Sequence, residues 1–177
     1  MSKRKFRLYL QTLNLFCNMY IRVLFFVLAT LFSTQLMAQK TMPNEYTFWD
    51  IKGDSIKLTD IKYKHTLTWV LYDPGCDHCW HQAKDIADNL KKFKKTKFVW
   101  ISINTPKAIA EFKDKYFPGK MSQNMVFLHD PKMAIFKKFD DFTETPNLLI
   151  YDKDKKLIVA LPKSPPEKIY PYCHKRH

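Results

Sequence analysis

Glycine is scarce, with 3 in 177 residues. Phosphate-cradling loops and dinucleotide fingerprints need several glycines so that backbone N–H groups can approach the ligand. Neither a P-loop nor a GxGxxG pattern occurs, which excludes those nucleotide chemistries. Internal repeats, low-complexity tracts and nucleic-acid motifs are also missing. The formal net charge of +13 therefore reads as solvated surface. Its lysines are spread over helical faces and strand ends in "KKFKKTK", "KDKYFPGK" and "DKDKK", with acids among them. The macromolecular partner this charge does suit is an anionic membrane surface, through loose association.

Acids are absent from the first 38 residues. Lys3, Arg4, Lys5 and Arg7 open this stretch, and Arg22 introduces the apolar run "VLFFVLATLFSTQLMAQ". A basic opening, an apolar run and a small residue at its end describe a secretory signal. Residues 1–38 are therefore expected to be a signal peptide cleaved after Ala38, with Met19 as an alternative start. An uncleaved anchor is the rival, although the apolar core falls short of the ~20 residues that span a bilayer. Export to the periplasm or cell envelope is the expectation, and Cys17 leaves with the leader.

The remainder, residues 39–177, is long enough for one domain with a real core. Hydrophobic residues at 46% and aromatics at 15% agree with a packed globule. "TFWDIKGDSIKLTDI" predicts a hairpin around Lys52-Gly53-Asp54. "HTLTWVLYD" is a continuous β-forming run, as in a central strand buried on both faces. From Cys79 onward, Trp80, Ala83, Ile86, Ala87, Leu90 and Phe93 recur at steps of three and four, which predicts an amphipathic helix. "KFVWISIN" and "MVFLHD" predict two more strands. Between them lies a helix with Ile109, Phe112 and Tyr116 on one side, and after them one with Met133, Phe136 and Phe139 on one stripe. "NLLIYDKDKKLIVALP" closes the pattern as a hairpin turning at residues 152–155. Alternating strands and helices between two hairpins predict an α/β sandwich with a mixed sheet.

The chemistry concentrates in "YDPGCDHCWHQ", residues 72–82. Cys76 falls where the central strand ends and a helix begins. There the unpaired N–H groups and the dipole of the helix lower a thiol pKa. Cys79, one turn later, is expected to be more buried, so one sulfur attacks and the other resolves. A protonated His78 would favour the Cys76 thiolate, whereas Asp73 and Asp77 would oppose it.

Strand, CxxC and helix, followed downstream by "ETPNLLIYDKDKKLIVAL", resemble the thioredoxin superfamily. The upstream stretch "FWDIKGDSIKLTDIKYKHTLTWVLYDPGCDHC" carries a D-x-x-G-x-x-x-x-L-x-D hairpin similar to that of exported TlpA/ResA-type thiol–disulfide oxidoreductases. The likeness covers roughly residues 47–162 and implies a three-layer thioredoxin-like sandwich with an N-terminal β-hairpin extension. It implies Cys76 and Cys79 as the catalytic pair, with a cis Thr145-Pro146 facing them and aligning substrate. Asp77 and His78 would tune the pair. Protein disulfides or thiols are the implied substrates and a redox partner resets the pair, with no cofactor or bound metal. Gly75 stands where the family commonly has Trp, and Val70 where cytosolic thioredoxins bury an acid. From about residue 163 the Pro-rich tail is expected to be irregular, leaving one sheet face incompletely covered.

Rival readings remain for the pair. Cys76, His78, Cys79, His81 and His129 are metal-ligand types, but ligands on one helical turn seldom complete a tetrahedron. Haem attachment needs His directly after the second Cys, where Trp80 stands. An inert disulfide suits an oxidising compartment, but so small a loop removes little unfolded-state entropy. A peroxidase of related fold would show Pro-x-x-x-Thr-x-x-Cys, a pattern this chain lacks. Trp49, Trp69, Trp80 and Trp100 read as core, with Trp80 also able to flank the site. Phe93, Phe112 and Phe136 also read as core, His65 and His81 as surface, and Cys173 as an exposed, incidental thiol.

Overall fold

The run "TLTWVL" forms a strand with every residue buried, and the architecture is arranged around it. A computed structural model describes residues 42–43, 46–139 and 144–173. The leader reading, residues 1–38, lies outside the described residues. The strands are β1 (Thr47–Asp50), β2 (Ser55–Lys57), β3 (Thr66–Leu71), β4 (Thr96–Ser102), β5 (Met125–His129), β6 (Asn147–Tyr151) and β7 (Leu157–Pro162). They form one sheet in the order β2-β1-β5-β4-β3-β6-β7. β3, β4 and β5 run parallel, while β1, β2, β6 and β7 add antiparallel pairs at the two sides.

Side chains alternate across a strand, so β3 feeds two cores. Val70 and Tyr72 enter one, with Trp100, Phe112, Phe127, Leu148 and Ile150. Leu67, Trp69 and Leu71 enter the other, with Phe48, Val99, Ile101 and Tyr151. Helices α1 (Asp77–Asp88) and α2 (Pro106–Tyr116) cover the first face through Cys79, Ala83, Ile86, Ile109 and Phe112. The second face is covered by the 3-10 turn Leu58–Asp60 and the short α3 (Ala134–Lys138). This is the three-layer mixed sandwich that the alternation of strands and helices predicts.

Both hairpins turn on the same device. The Asp50 carboxylate accepts the N–H groups of Lys52 and Asp54, and the Asp152 carboxylate those of Asp154 and Lys156. Such side-chain-to-backbone bonds satisfy turn donors without a long loop.

Three expectations are corrected. Of the stripe Met133, Phe136 and Phe139, the two phenylalanines pack half-buried against the second core but Met133 does not. Met133 has φ 54 and is 41% exposed, while Ile135 is fully buried. The cause is Asp130, whose buried carboxylate accepts the N–H groups of Ala134 and Ile135 and sets where α3 starts. Trp80 is exposed, whereas Trp69 and Trp100 are fully buried and Trp49 is half-buried. The tail is not irregular: Pro166–Lys168 makes a 3-10 turn and Tyr170–Cys173 a short helix, α4. Ile169 and Cys173 are buried there in the first core, so Cys173 is no exposed thiol and the short tail helps cover that face.

The Ile169 side chain has no exposure at all. Ile169→Ala is therefore expected to lower the unfolding free energy by about 3 kcal/mol, as for emptying other buried aliphatic sites. Urea unfolding followed by tryptophan fluorescence measures this; a loss under about 1 kcal/mol would show that the tail does not seal the face.

Candidate active site

The chain leaves β3 at Tyr72, whose N–H still bonds the Ile101 carbonyl of β4. One residue later the Asp73 carboxylate accepts the Gly75 N–H at 2.8 Å and the Asn104 side-chain amide at 2.9 Å. Asn104 is held in turn by its own N–H on the Ser102 hydroxyl at 3.1 Å. The Asp73 carbonyl accepts the Cys76 N–H at 3.0 Å, which closes a turn over Pro74-Gly75. A cap residue in extended conformation follows and α1 begins: Cys76 is that N-cap, with φ −89 and ψ 125.

The usual N-cap side chains bring an oxygen to the N–H groups of the second and third helical residues. Here those residues are His78 and Cys79, and a sulfur takes the place of the oxygen. As a thiol it makes no cap bond. As a thiolate it is the acceptor the helix end lacks. Burial pushes the Cys76 pKa up, but backbone donors at Cys79 and His78 and side-chain donors at Thr145 and Cys79 outweigh it, and the net shift is downward. Cys79 is fully buried, and burial pushes its thiol up to about 12. The two sulfurs are in the dithiol form.

The Thr145-Pro146 peptide bond is cis and lies against this pair. The Cys76 thiol donates to the Thr145 carbonyl at 3.5 Å, across 69 positions of sequence. The segment is held from both sides. The Lys163 N–H donates to the Pro146 carbonyl at 2.9 Å, and the Lys163 ammonium pairs with the Glu144 carboxylate. Gln82, buried on α1, donates to the Ser164 carbonyl at 3.0 Å and ties the helix to the same stretch. A cavity of about 270 Å³ opens between His78 and His81 on one side and Pro146 and Lys163 on the other.

Of the residues expected at the site, Cys76, Cys79, Thr145 and Pro146 are brought together. His78 is exposed, and what bears on the thiolate is its backbone N–H. Asp77 is exposed in the first turn of α1, where its charge complements the dipole. Trp80 flanks the site: its indole N–H donates to the Pro74 carbonyl, and the Lys115 ammonium lies 5.0 Å from its ring centre. His81 is exposed at the rim of the cavity. Among the described residues no group of three His, Cys, Asp or Glu side chains is placed to hold a metal ion.

Reading the sequence missed Asn104, Ser102, Gln82, Glu144 and Lys163. A signal existed for the first two, because Asp before Pro-Gly is a turn former whose carboxylate seeks donors. None existed for the last three, whose roles depend on where β7 returns.

Residues 36–160 match the model of the AhpC/TSA family. No curated protein matches the chain. Among solved structures, DsbF of Mycobacterium tuberculosis, described in mixed oxidised and reduced forms, has a TM-score of 0.60 at 16% identity, covering 75% of this chain and 97% of that one. A secreted disulfide oxidoreductase of the same organism, described as homologous to E. coli DsbE, has a TM-score of 0.59 at 15% identity, covering 73% and 94%. The bacterioferritin comigratory protein of Xanthomonas campestris has a TM-score of 0.59 at 14% identity, covering 76% and 92%. These likenesses show a shared thioredoxin-like fold.

The lowered pKa of Cys76 and the burial of Cys79 and Cys173 predict selective labelling. Iodoacetamide at pH 7 should modify Cys76 before Cys79 and Cys173, which stay silent in the folded domain, as peptide mass spectrometry would read. A lowered pKa means thiolate at lower pH, so the Cys76 rate should reach half its plateau below the ordinary thiol value. Equal labelling of Cys76 and Cys79 would contradict the geometry.

Proposed function

The chain belongs to the AhpC/TSA family and has a thioredoxin-like thiol oxidoreductase fold, and from that premise we propose that it exchanges disulfides with exported proteins through Cys76 and Cys79. One observation carries this reading. An accessible sulfur caps a helix beside the Thr145-Pro146 segment, with a second sulfur buried one turn behind it.

The Cys76 thiolate attacks one sulfur of a substrate disulfide. A Cys76–substrate S–S bond forms, the substrate bond breaks, and the second substrate sulfur leaves as thiolate. Cys79 must lose its proton before it reacts, and the departing substrate thiolate is a base at hand. The Cys79 sulfur then attacks Cys76, the mixed disulfide breaks, and the substrate leaves with both sulfurs reduced. Two electrons have passed from the pair to the substrate, and the Cys76–Cys79 disulfide must be reduced by an external dithiol partner. The Thr145 carbonyl, facing Cys76, accepts a backbone N–H of the substrate segment and orients its disulfide. Reduction in this direction suits a buried Cys79 that stays protonated until a mixed disulfide forms. The leader's basic and apolar pattern supports a setting in the cell envelope.

Family membership supports a second reading, in which the same thiolate reduces a peroxide. An S–O bond would form as the O–O bond breaks and an alcohol leaves. Cys79 would then displace water to give the same disulfide. The residues three and seven places before Cys76 are Asp73 and Trp69, not the Thr and Pro of a peroxidatic setting. We therefore place disulfide exchange first.

Insulin reduction with dithiothreitol as donor tests the reading. The chain should accelerate precipitation, Cys76→Ser should fall to the uncatalysed rate, and Cys79→Ser should accumulate a covalent adduct on a non-reducing gel. Equal rates for the chain and Cys76→Ser would reject disulfide exchange. Rapid hydrogen peroxide consumption without insulin reduction would move the assignment to the second reading.

A further inference from the structure

The end of the sheet opposite Cys76 carries a charge pattern that neither the fold nor the redox chemistry uses. β3, β4 and β5 run parallel, so their starting ends lie together, away from the site. Lys62, Lys64 and His65 precede β3, and Lys94 and Lys95 precede β4, whose second residue is Lys97. These six surround one cavity of about 310 Å³ that no Asp or Glu lines. Lys62, Lys64, Lys94 and Lys95 are exposed, and among the described residues none of the five lysines makes an ion pair. Lys97 is half-buried, with its ammonium on the Gln123 carbonyl at 3.3 Å. Gathering like charges works against folding; Asp152 and Asp154 of the β6–β7 turn act on Tyr63 at the edge of this cavity but do not line it, so the lysines still present a net positive face to an outside anion.

We propose that this pole is a docking surface for an anionic lipid membrane, on which the lysines meet headgroup phosphates while Cys76 points away. Two observations select this occupant. The chain enters the domain at this pole: the Met42 N–H donates to the carbonyl of Lys155, in the β6–β7 turn beside the start of β3. In a chain that keeps residues 1–38, the rival to cleavage, the apolar run ends only a few residues earlier in sequence. The chemistry also fits a diffuse field of headgroups better than a nucleic acid. Among the described residues the basic side chains that line the cavity are lysines and one histidine, with no guanidinium fork. Its one aromatic, Tyr63, has its hydroxyl committed to the Asp152 carbonyl at 2.7 Å. Five flexible ammonium groups beside one half-buried tyrosine and one histidine ring suit a plane of phosphates better than a run of stacked bases.

Vesicle sedimentation of the full chain tests this, comparing phosphatidylcholine alone with phosphatidylcholine containing phosphatidylglycerol. The leader's apolar run contributes to both, so the ratio isolates the charge. Wild type should prefer the anionic vesicles by at least about 10-fold, and this should vanish in high salt. Changing Lys62, Lys64, Lys94 and Lys95 together to Gln should remove the preference. The same change at the exposed Lys84, Lys107, Lys132 and Lys137, away from the cavity, should retain most of it. Equal losses in the two variants would reduce the effect to net charge and overturn the proposal, as would a preference that survives high salt. Tighter binding of an RNA oligomer, with the same lysine dependence, would reassign the surface and also overturn it. Should the first variant fail to fold, the wild-type salt titration and the RNA comparison still decide. Cys76→Ser should keep the full preference, so failure here and failure of the redox reading are separable.

Discussion

The cap position of α1 is the constraint on which the site depends. A strand buried on both faces leaves only its ends for chemistry, and β3 ends at a turn whose donors are taken up by the Asp73 carboxylate. That turn delivers Cys76 as the residue that must cap the helix. The His78 and Cys79 N–H groups have no intrahelical acceptors, and both reach the Cys76 sulfur, which can take a negative charge. The helix therefore favours the thiolate for the same reason that helices favour Asp or Ser at their starts.

One helical turn separates two thiols with opposite properties. Cys79 points into the core with Tyr72, Val70 and Ala83, where burial opposes charge. Cys76 stands at the rim, where N–H groups outweigh partial burial. In the proposed exchange this difference orders the steps: the sulfur whose pKa is lowered is also the one a macromolecule can reach. A carboxylate in place of Val70 would lie in the same core as Cys79 and could receive its proton. With Val there, the resolving step of the proposed exchange would take its base from the substrate.

Local pattern carried much of this architecture. The run 66–71 and the Lys52-Gly53-Asp54 turn each match one element, because a buried strand and a tight turn leave their mark in the chain, while the apolar spacing after Cys79 runs through α1 and on into a separate 3-10 turn, Leu90–Phe93. The cysteine pair and Thr145-Pro146 were legible from their places relative to those elements. Long-range partners were not. Glu144 and Lys163 bracket Pro146 only because β7 returns alongside β6, and Gln82 reads as a polar helix residue until Ser164 is placed against it. α3 shows a partial failure: Phe136 and Phe139 pack as their spacing predicts, but Met133 is exposed and Ile135 is the residue fully buried. Asp130 caps two N–H groups and overrides that periodicity at Met133.

Separating the lysines from the sulfur matters for the chemistry. β4, with 7 residues, spans about 20 Å between the basic pole and the site end. Screening through solvent limits such interactions to about 8 Å at physiological salt. The basic pole therefore has little hold on Cys76, whose lowered pKa has local causes: two N–H groups of α1, the Thr145 side chain and the neighbouring thiol. Had the lysines gathered at the active-site end, thiolate character would change with ionic strength and with every anionic surface the protein met. Placed at the starting ends of the parallel strands, they are free to act on large partners while the reactive sulfur keeps one protonation behaviour, docked or not.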